Sequence, residues 1–114
     1  MKKIIIIGAG AMGSAFAVPC LENQNDVTLV GTHLEDELIK DIKSNNNFHP
    51  ALNIELPSKL KVEKFEKLKA ILDEGVDIIV AGVSSIGIEW FVHQIVNNYK
   101  KNLPIILLTK GLAI

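Results

Sequence analysis

The stretch Ile4-Ile5-Ile6-Ile7-Gly8-Ala9-Gly10-Ala11-Met12-Gly13-Ser14-Ala15-Phe16-Ala17 decides the fold. Four consecutive isoleucines form the kind of short apolar run that a parallel sheet buries on both faces. The run enters Gly8-Ala9-Gly10-Ala11-Met12-Gly13, a G-x-G-x-x-G sequence that opens an Ala-rich segment with helical spacing over 11–23. In this setting the first glycine permits a tight turn, the second lets a pyrophosphate approach the backbone, and the third lets helix pack closely on strand. Backbone N–H groups of Ala11 and Met12, at the positive end of the helix, then face phosphate oxygens. Gly8, Gly10, Ala11, Met12 and Gly13 are therefore the candidate pyrophosphate residues of a dinucleotide site. The bland alternative is a plain Gly-rich strand-to-helix turn.

Working outward, short apolar runs alternate with helically spaced segments. The spacing predicts strands at 3–7, 27–31, 60–63, 77–83 and 105–109, and helices at 11–23, 34–44, 66–74 and 86–99. Strands separated by helices imply right-handed crossovers. The expected fold is α/β: a Rossmann-type doubly wound parallel sheet, strand order 3-2-1-4-5, with the isoleucine strand central. Residues 45–58 carry Asn45, Asn46, Asn47, Pro50 and Pro57 and no clear element, which suggests a functional loop.

At 114 residues and 48% hydrophobic content the chain suffices for one core. Twelve lysines against thirteen acids leave a net charge of −1, which provides no field for nucleic acid or an anionic membrane. Small molecules or protein are the expected partners. No arginine is present, so the planar fork often used to clamp phosphate is missing. Cys20 is the single cysteine and reads as a small core residue. No metal site is expected. The apolar start is too short for a signal peptide, and no stretch approaches the roughly 20 apolar residues of a membrane span, so a cytoplasmic protein is expected.

Dinucleotide sites often carry an acid at the end of the second strand that bonds the ribose 2′-hydroxyl. Here Gly31-Thr32-His33 stand there, and no acid appears until Glu35. Thr32 and His33 can each donate a hydrogen bond to a 2′-phosphate, which makes NADP at least as favoured as NAD. Thr32 and Glu35 also match a capping box, and Glu35, Asp36 and Glu37 suit a helix first turn. Ser84 and Ser85 either cap the following helix or line the cofactor site. His93, one helical turn from Glu89, reads as an ion partner.

Several segments together resemble one family. Gly8 to Ala17, Val30-Gly31-Thr32-His33, Leu56-Pro57, Ala81-Gly82-Val83-Ser84-Ser85 and Leu108-Thr109-Lys110-Gly111-Leu112 are similar, in order and spacing, to the N-terminal domain of NAD(P)-dependent glycerol-3-phosphate dehydrogenase. The Thr-Lys-Gly-Leu segment is the specific part. The resemblance implies hydride transfer between sn-glycerol 3-phosphate and dihydroxyacetone phosphate with NADP or NAD, and an all-helical second domain that supplies most of the substrate site and a catalytic lysine. It places Ala11, Met12 and Thr32 at cofactor contacts with His33 beside them, and Lys110 next to both cofactor and substrate. Lys110 is thus the candidate catalytic residue, in keeping with ligands binding beyond the carboxyl ends of strands. Residues 1–114 are expected to be a dinucleotide-binding domain cut from a longer two-domain enzyme, inactive alone, and the reading leaves room for a homodimer of that enzyme. Two rivals remain: a ketopantoate reductase, which shares Gly-Ala-Gly-Ala-Met-Gly, and a nucleotide-sensing module without chemistry.

Overall fold

The computed structural model describes residues 1–83, 87–98 and 104–108. In chain order the elements are β1 (Lys3–Ile7), α1 (Ala11–Glu22), β2 (Asp26–Val30), α2 (Asp36–Ser44), β3 (Phe48–His49), β4 (Ile54–Glu55), β5 (Lys61–Glu63), a 3₁₀ turn (Phe65–Lys67), α3 (Leu68–Glu74), β6 (Ile78–Ala81), α4 (Ile88–Asn98) and β7 (Ile105–Leu107). Five strands form one parallel sheet in the order β5-β2-β1-β6-β7, and the isoleucine strand is central, as the sequence predicts. The fold is thus the doubly wound α/β arrangement.

Alternation along β1 explains why the sheet is covered on both faces. Ile4 and Ile6 pack with Ala17 and Cys20 of α1 and Ile39 and Ile42 of α2. Ile5 and Ile7 point the other way, into Leu68 and Leu72 of α3 and Phe91 and Ile95 of α4. Ile5, Ile6 and Ile7 are fully buried, each stabilising the fold by about 1.5–3 kcal/mol. Register sets the site: Ile7 stands opposite Val30 on β2 and Ala81 on β6, so Gly8, Gly31 and Gly82 leave the sheet at one level.

Four expectations need correction. Residues 45–58 are not irregular throughout, because β3 and β4 pair antiparallel, Phe48 with Glu55 and His49 with Ile54. Asn46, Asn47 and Asn53 adopt φ of 57°, 63° and 56° at its bends, a conformation asparagine tolerates better than most residues. The second helix starts at Asp36, not at residue 34, and the third is preceded by a 3₁₀ turn. The last strand is not buried on both faces: Ile105, Ile106 and Leu107 are 46%, 39% and 56% exposed, since among the described residues β7 pairs with β6 alone, at the sheet edge.

Cys20 is a buried core residue, and desolvation pushes its thiol above the ordinary range. Pro19 lies inside α1 but on its exposed side. The backbone and side-chain N–H groups of Asn23 both bond the Pro19 carbonyl, at 3.1 and 2.8 Å, and close the helix. Among the described residues no helix is long and apolar enough to cross a membrane.

Candidate functional site

At the carboxyl end of β1 the backbone turns through Gly8 at φ +114°, a conformation that strongly favours glycine. Its N–H donates to Val30 O and Gly82 N–H donates to Ile7 O, both at 2.8 Å, so the turn is tied to β2 and β6. The packing there excludes any side chain. A Cβ on Gly8 would fall 2.5 Å from Gly82 O, and one on Gly13 would strike the Gly8 carbonyl oxygen. Gly10 is the opposite case, because a Cβ there would meet nothing within 4 Å. Its backbone faces open space of the kind a phosphate group would fill.

Gly10 is also the N-terminal cap of α1, with no side-chain cap and no acid in the first turn. The first-turn N–H groups, on Ala11, Met12 and Gly13, have no acceptor within the helix, and the positive end of the helix dipole is not neutralised. Ala11 and Met12 are exposed. Turn, gap and free donors together fit a pyrophosphate.

The peptide of Ala9 is held from three directions. Its N–H donates to Glu35 Oε1 at 2.9 Å, while its carbonyl accepts from Ser14 Oγ at 3.1 Å and from His49 Nε2 at 2.7 Å. His49 Nδ1 accepts from the N–H groups of Ala51 and Leu52, at 3.2 and 3.4 Å, so the ring proton resides on Nε2. Ser14 and His49 are buried at 0% and 1% exposure, and both are satisfied by these bonds.

Glu35 Oε1 accepts a second bond, from Thr32 N–H at 2.8 Å. This is half of the expected capping box. The other half differs: Thr32 Oγ1 accepts from Leu34 N–H at 3.3 Å, Glu35 N–H closes a turn onto the Thr32 carbonyl, and the N-cap position of α2 falls on Glu35, with no side-chain cap. The reading of a second-strand exit without an acid is therefore corrected, since the turn carries the Glu35 carboxylate back to it.

Gly8, Gly10, Thr32, His33, Glu35 and Trp90 are among the residues lining one cleft of about 500 Å³. A hollow of about 50 Å³ at the amino ends of the strands, beside Lys3, Asp26 and Gly75, is too small for a nucleotide. Within the cleft His33 lies against Trp90, ring centroids 4.9 Å apart, and Phe65 backs Trp90 at 5.4 Å. The structure thus brings together Gly8, Gly10, Thr32 and His33, with Ala11, Met12 and Gly13 in the adjoining helix start. Ser84 and Lys110 lie outside the described residues. His93 is exposed and forms no ion pair with Glu89.

Sequence reasoning missed the roles of Glu35, His49 and Trp90 here. Glu35 was signalled only as a local cap. His49 carries no pattern of its own, and Trp90, the single tryptophan, sits one position from the core residue Phe91 and reads as packing.

Residues 3–114 match the family described as NAD-dependent glycerol-3-phosphate dehydrogenase N-terminus. The chain is 38% identical over 111 residues to an NADP(+)-dependent glycerol-3-phosphate dehydrogenase of Archaeoglobus fulgidus, covering 96% of this chain and 31% of that protein. It is 37% identical over 114 residues to a glycerol-3-phosphate dehydrogenase [NAD(P)+] of Shouchella clausii, covering 98% of this chain and 32% of that protein. A crystal structure of glycerol-3-phosphate dehydrogenase from Coxiella burnetii superposes with a TM-score of 0.82 at 27% identity, over 98% of this chain and 33% of that one. The chain spans about a third of the length of these relatives. With the glycine turn, its parallel sheet and a match along nearly all its length, the chain belongs to the NAD-dependent glycerol-3-phosphate dehydrogenase N-terminal family.

Proposed function

We propose that this chain is the cofactor-binding half of an oxidoreductase that interconverts sn-glycerol 3-phosphate and dihydroxyacetone phosphate with NADP or NAD. The observation that carries the reading is the contrast between Gly8 and Gly13, which admit no side chain, and Gly10, which faces open space. Gly10, Ala11 and Met12 bind the pyrophosphate through backbone N–H groups, and Gly8 and Gly13 keep the turn tight. Thr32 and His33 meet the adenosine ribose and a 2′-phosphate where one is present, and Ser84 lines the cofactor site. The nicotinamide supplies a hydride carrier.

In this reading residues 1–114 are the cofactor domain of a longer enzyme whose remainder holds most of the substrate. Lys110 is the catalytic group of this half. Its ammonium opposes the negative charge that develops on the substrate oxygen and attracts the substrate phosphate. A homodimer of the longer enzyme completes the proposal, checked by light scattering.

Calorimetric titration of the 114-residue chain with NADH and NADPH tests the site. Saturable binding of at least one nucleotide is expected, and binding of neither overturns the reading. Turnover of dihydroxyacetone phosphate by the chain alone is expected to be nil, because positioning substrate against cofactor is worth about 7–11 kcal/mol of the barrier and half a cleft does not provide it.

A further inference from the structure

Rings gather at one end of the cleft with no catalytic task. His33 and Trp90 lie with centroids 4.9 Å apart and planes 35° apart, and Phe65 stands edge-on to His33 at 6.2 Å. Trp90 is the third residue of α4, which follows β6, whereas His33 follows β2. Those strands flank β1 on opposite sides, so the pair reaches across the glycine turn's neighbourhood from both. Leu34, 83% exposed, lines the same cleft, which leaves a large apolar side chain uncovered beside the rings.

Such a surface suits a flat, uncharged, polarisable group. Stacking on an aromatic face is tolerant of sequence and geometry, and rings already held by packing lose little freedom on binding. The order of sites along the cleft says which group arrives. Gly10 marks the pyrophosphate, and Thr32 with the Glu35 carboxylate marks the exit of the second strand, which in this fold serves the adenosine ribose. The base carried by that ribose lies next along the cleft, where His33, Leu34 and Trp90 are.

We propose that Trp90, together with His33, forms the stacking platform for the adenine ring, making Trp90 a binding residue that sets affinity for the adenosine half of the cofactor. The inference rests on the nucleotide reading of the cleft. It assigns a task to a residue that the glycine motif leaves without one. Phe65 acts behind Trp90, as the wall that fixes the indole.

The test is calorimetric titration of the 114-residue chain with ADP, which carries the adenosine and pyrophosphate of the cofactor, and with reduced nicotinamide mononucleotide, which carries its other end. Trp90→Leu keeps an apolar side chain and removes the large aromatic face; Trp90→Phe keeps an aromatic face. Trp90→Leu is expected to weaken ADP about 10-fold or more while mononucleotide affinity stays within about threefold, and Trp90→Phe is expected to restore most of the ADP affinity. ADP is also expected to quench the emission of Trp90, the only tryptophan, in the parent chain. The inference is overturned if Trp90→Leu binds ADP within about threefold of the parent, or if both variants lose ADP and mononucleotide in equal proportion, the mark of a general loss of structure. Binding of neither NADH nor ADP by the parent would instead remove the nucleotide reading itself, and this inference with it.

Discussion

His49 Nε2 donates a 2.7 Å hydrogen bond to the carbonyl of Ala9, joining the ribbon β3–β4 to the glycine turn across 40 positions of sequence. The bond is buried, and the ring's other nitrogen is occupied by two backbone N–H groups of its own loop. His49 is thus a rivet between a loop that otherwise packs on α2 and the turn that faces the cleft.

Replacing His49 by Ala removes that donor, empties ring volume from the core and leaves the N–H groups of Ala51 and Leu52 without their acceptor. A loss of about 2–4 kcal/mol is expected, from unsatisfied groups plus the cavity. Urea unfolding followed by circular dichroism measures it. A loss under about 0.5 kcal/mol would mean that water replaces the ring without cost, as at ordinary surface sites.

The glycines separate folding from binding. Gly10→Val places its side chain in open space at ordinary backbone angles, so unfolding should shift by less than about 1 kcal/mol while NADH and NADPH affinity disappears. Gly13→Val drives a Cβ into the Gly8 carbonyl and should destabilise by about 3 kcal/mol or more. Paired thermal unfolding and calorimetry read both effects, and a Gly10→Val chain that still binds nucleotide would refute the phosphate turn.

Glu35→Gln keeps an oxygen for the Ala9 and Thr32 N–H groups but removes a negative charge from the exit of β2. A 2′-phosphate in that neighbourhood is repelled by the carboxylate, so the ratio of NADPH to NADH affinity should rise about 10-fold, equivalent to about 1.4 kcal/mol. An unchanged ratio would restrict Glu35 to holding the turn together.

Lys110→Ala in the longer enzyme should lower turnover of dihydroxyacetone phosphate by about 100-fold to 1000-fold, the usual effect of losing one group that stabilises transition-state charge. Steady-state kinetics with NADPH decides it. Turnover within about threefold of the parent would leave Lys110 as a solvated side chain.

Much of this fold is legible in the sequence because its signals are local and repeated. Ile4 to Ile7, 27–31 and 77–83 are short apolar runs of the kind a doubly covered sheet buries, and the glycine spacing fixes where the central strand ends. The parts that escape are single polar contacts between distant segments. Glu35 looks like a cap because its nearer partner, Thr32, is three residues away, whereas its other partner, Ala9, is 26 away. His49 has no periodicity to betray it, and the exposure of Ile105 to Leu107 depends on which strand is last in the sheet, a property of topology rather than of composition.

Apart from the local bond of Ser14 Oγ to Ala9 O, the bonds that tie the glycine turn to the rest of the fold span long stretches of chain: Ala9 with Glu35 and His49, Gly8 with Val30, Ile7 with Gly82. Long loops must close before such contacts form, so we expect the turn to take its final shape late in folding, after β2, the ribbon and β6 have docked. Interactions that appear after the transition state act on the escape rate from the native state and leave the refolding rate untouched. A nucleotide seated on this turn therefore prolongs the lifetime of the folded chain, and under conditions where unfolding limits cleavage its resistance to proteases tracks cofactor occupancy.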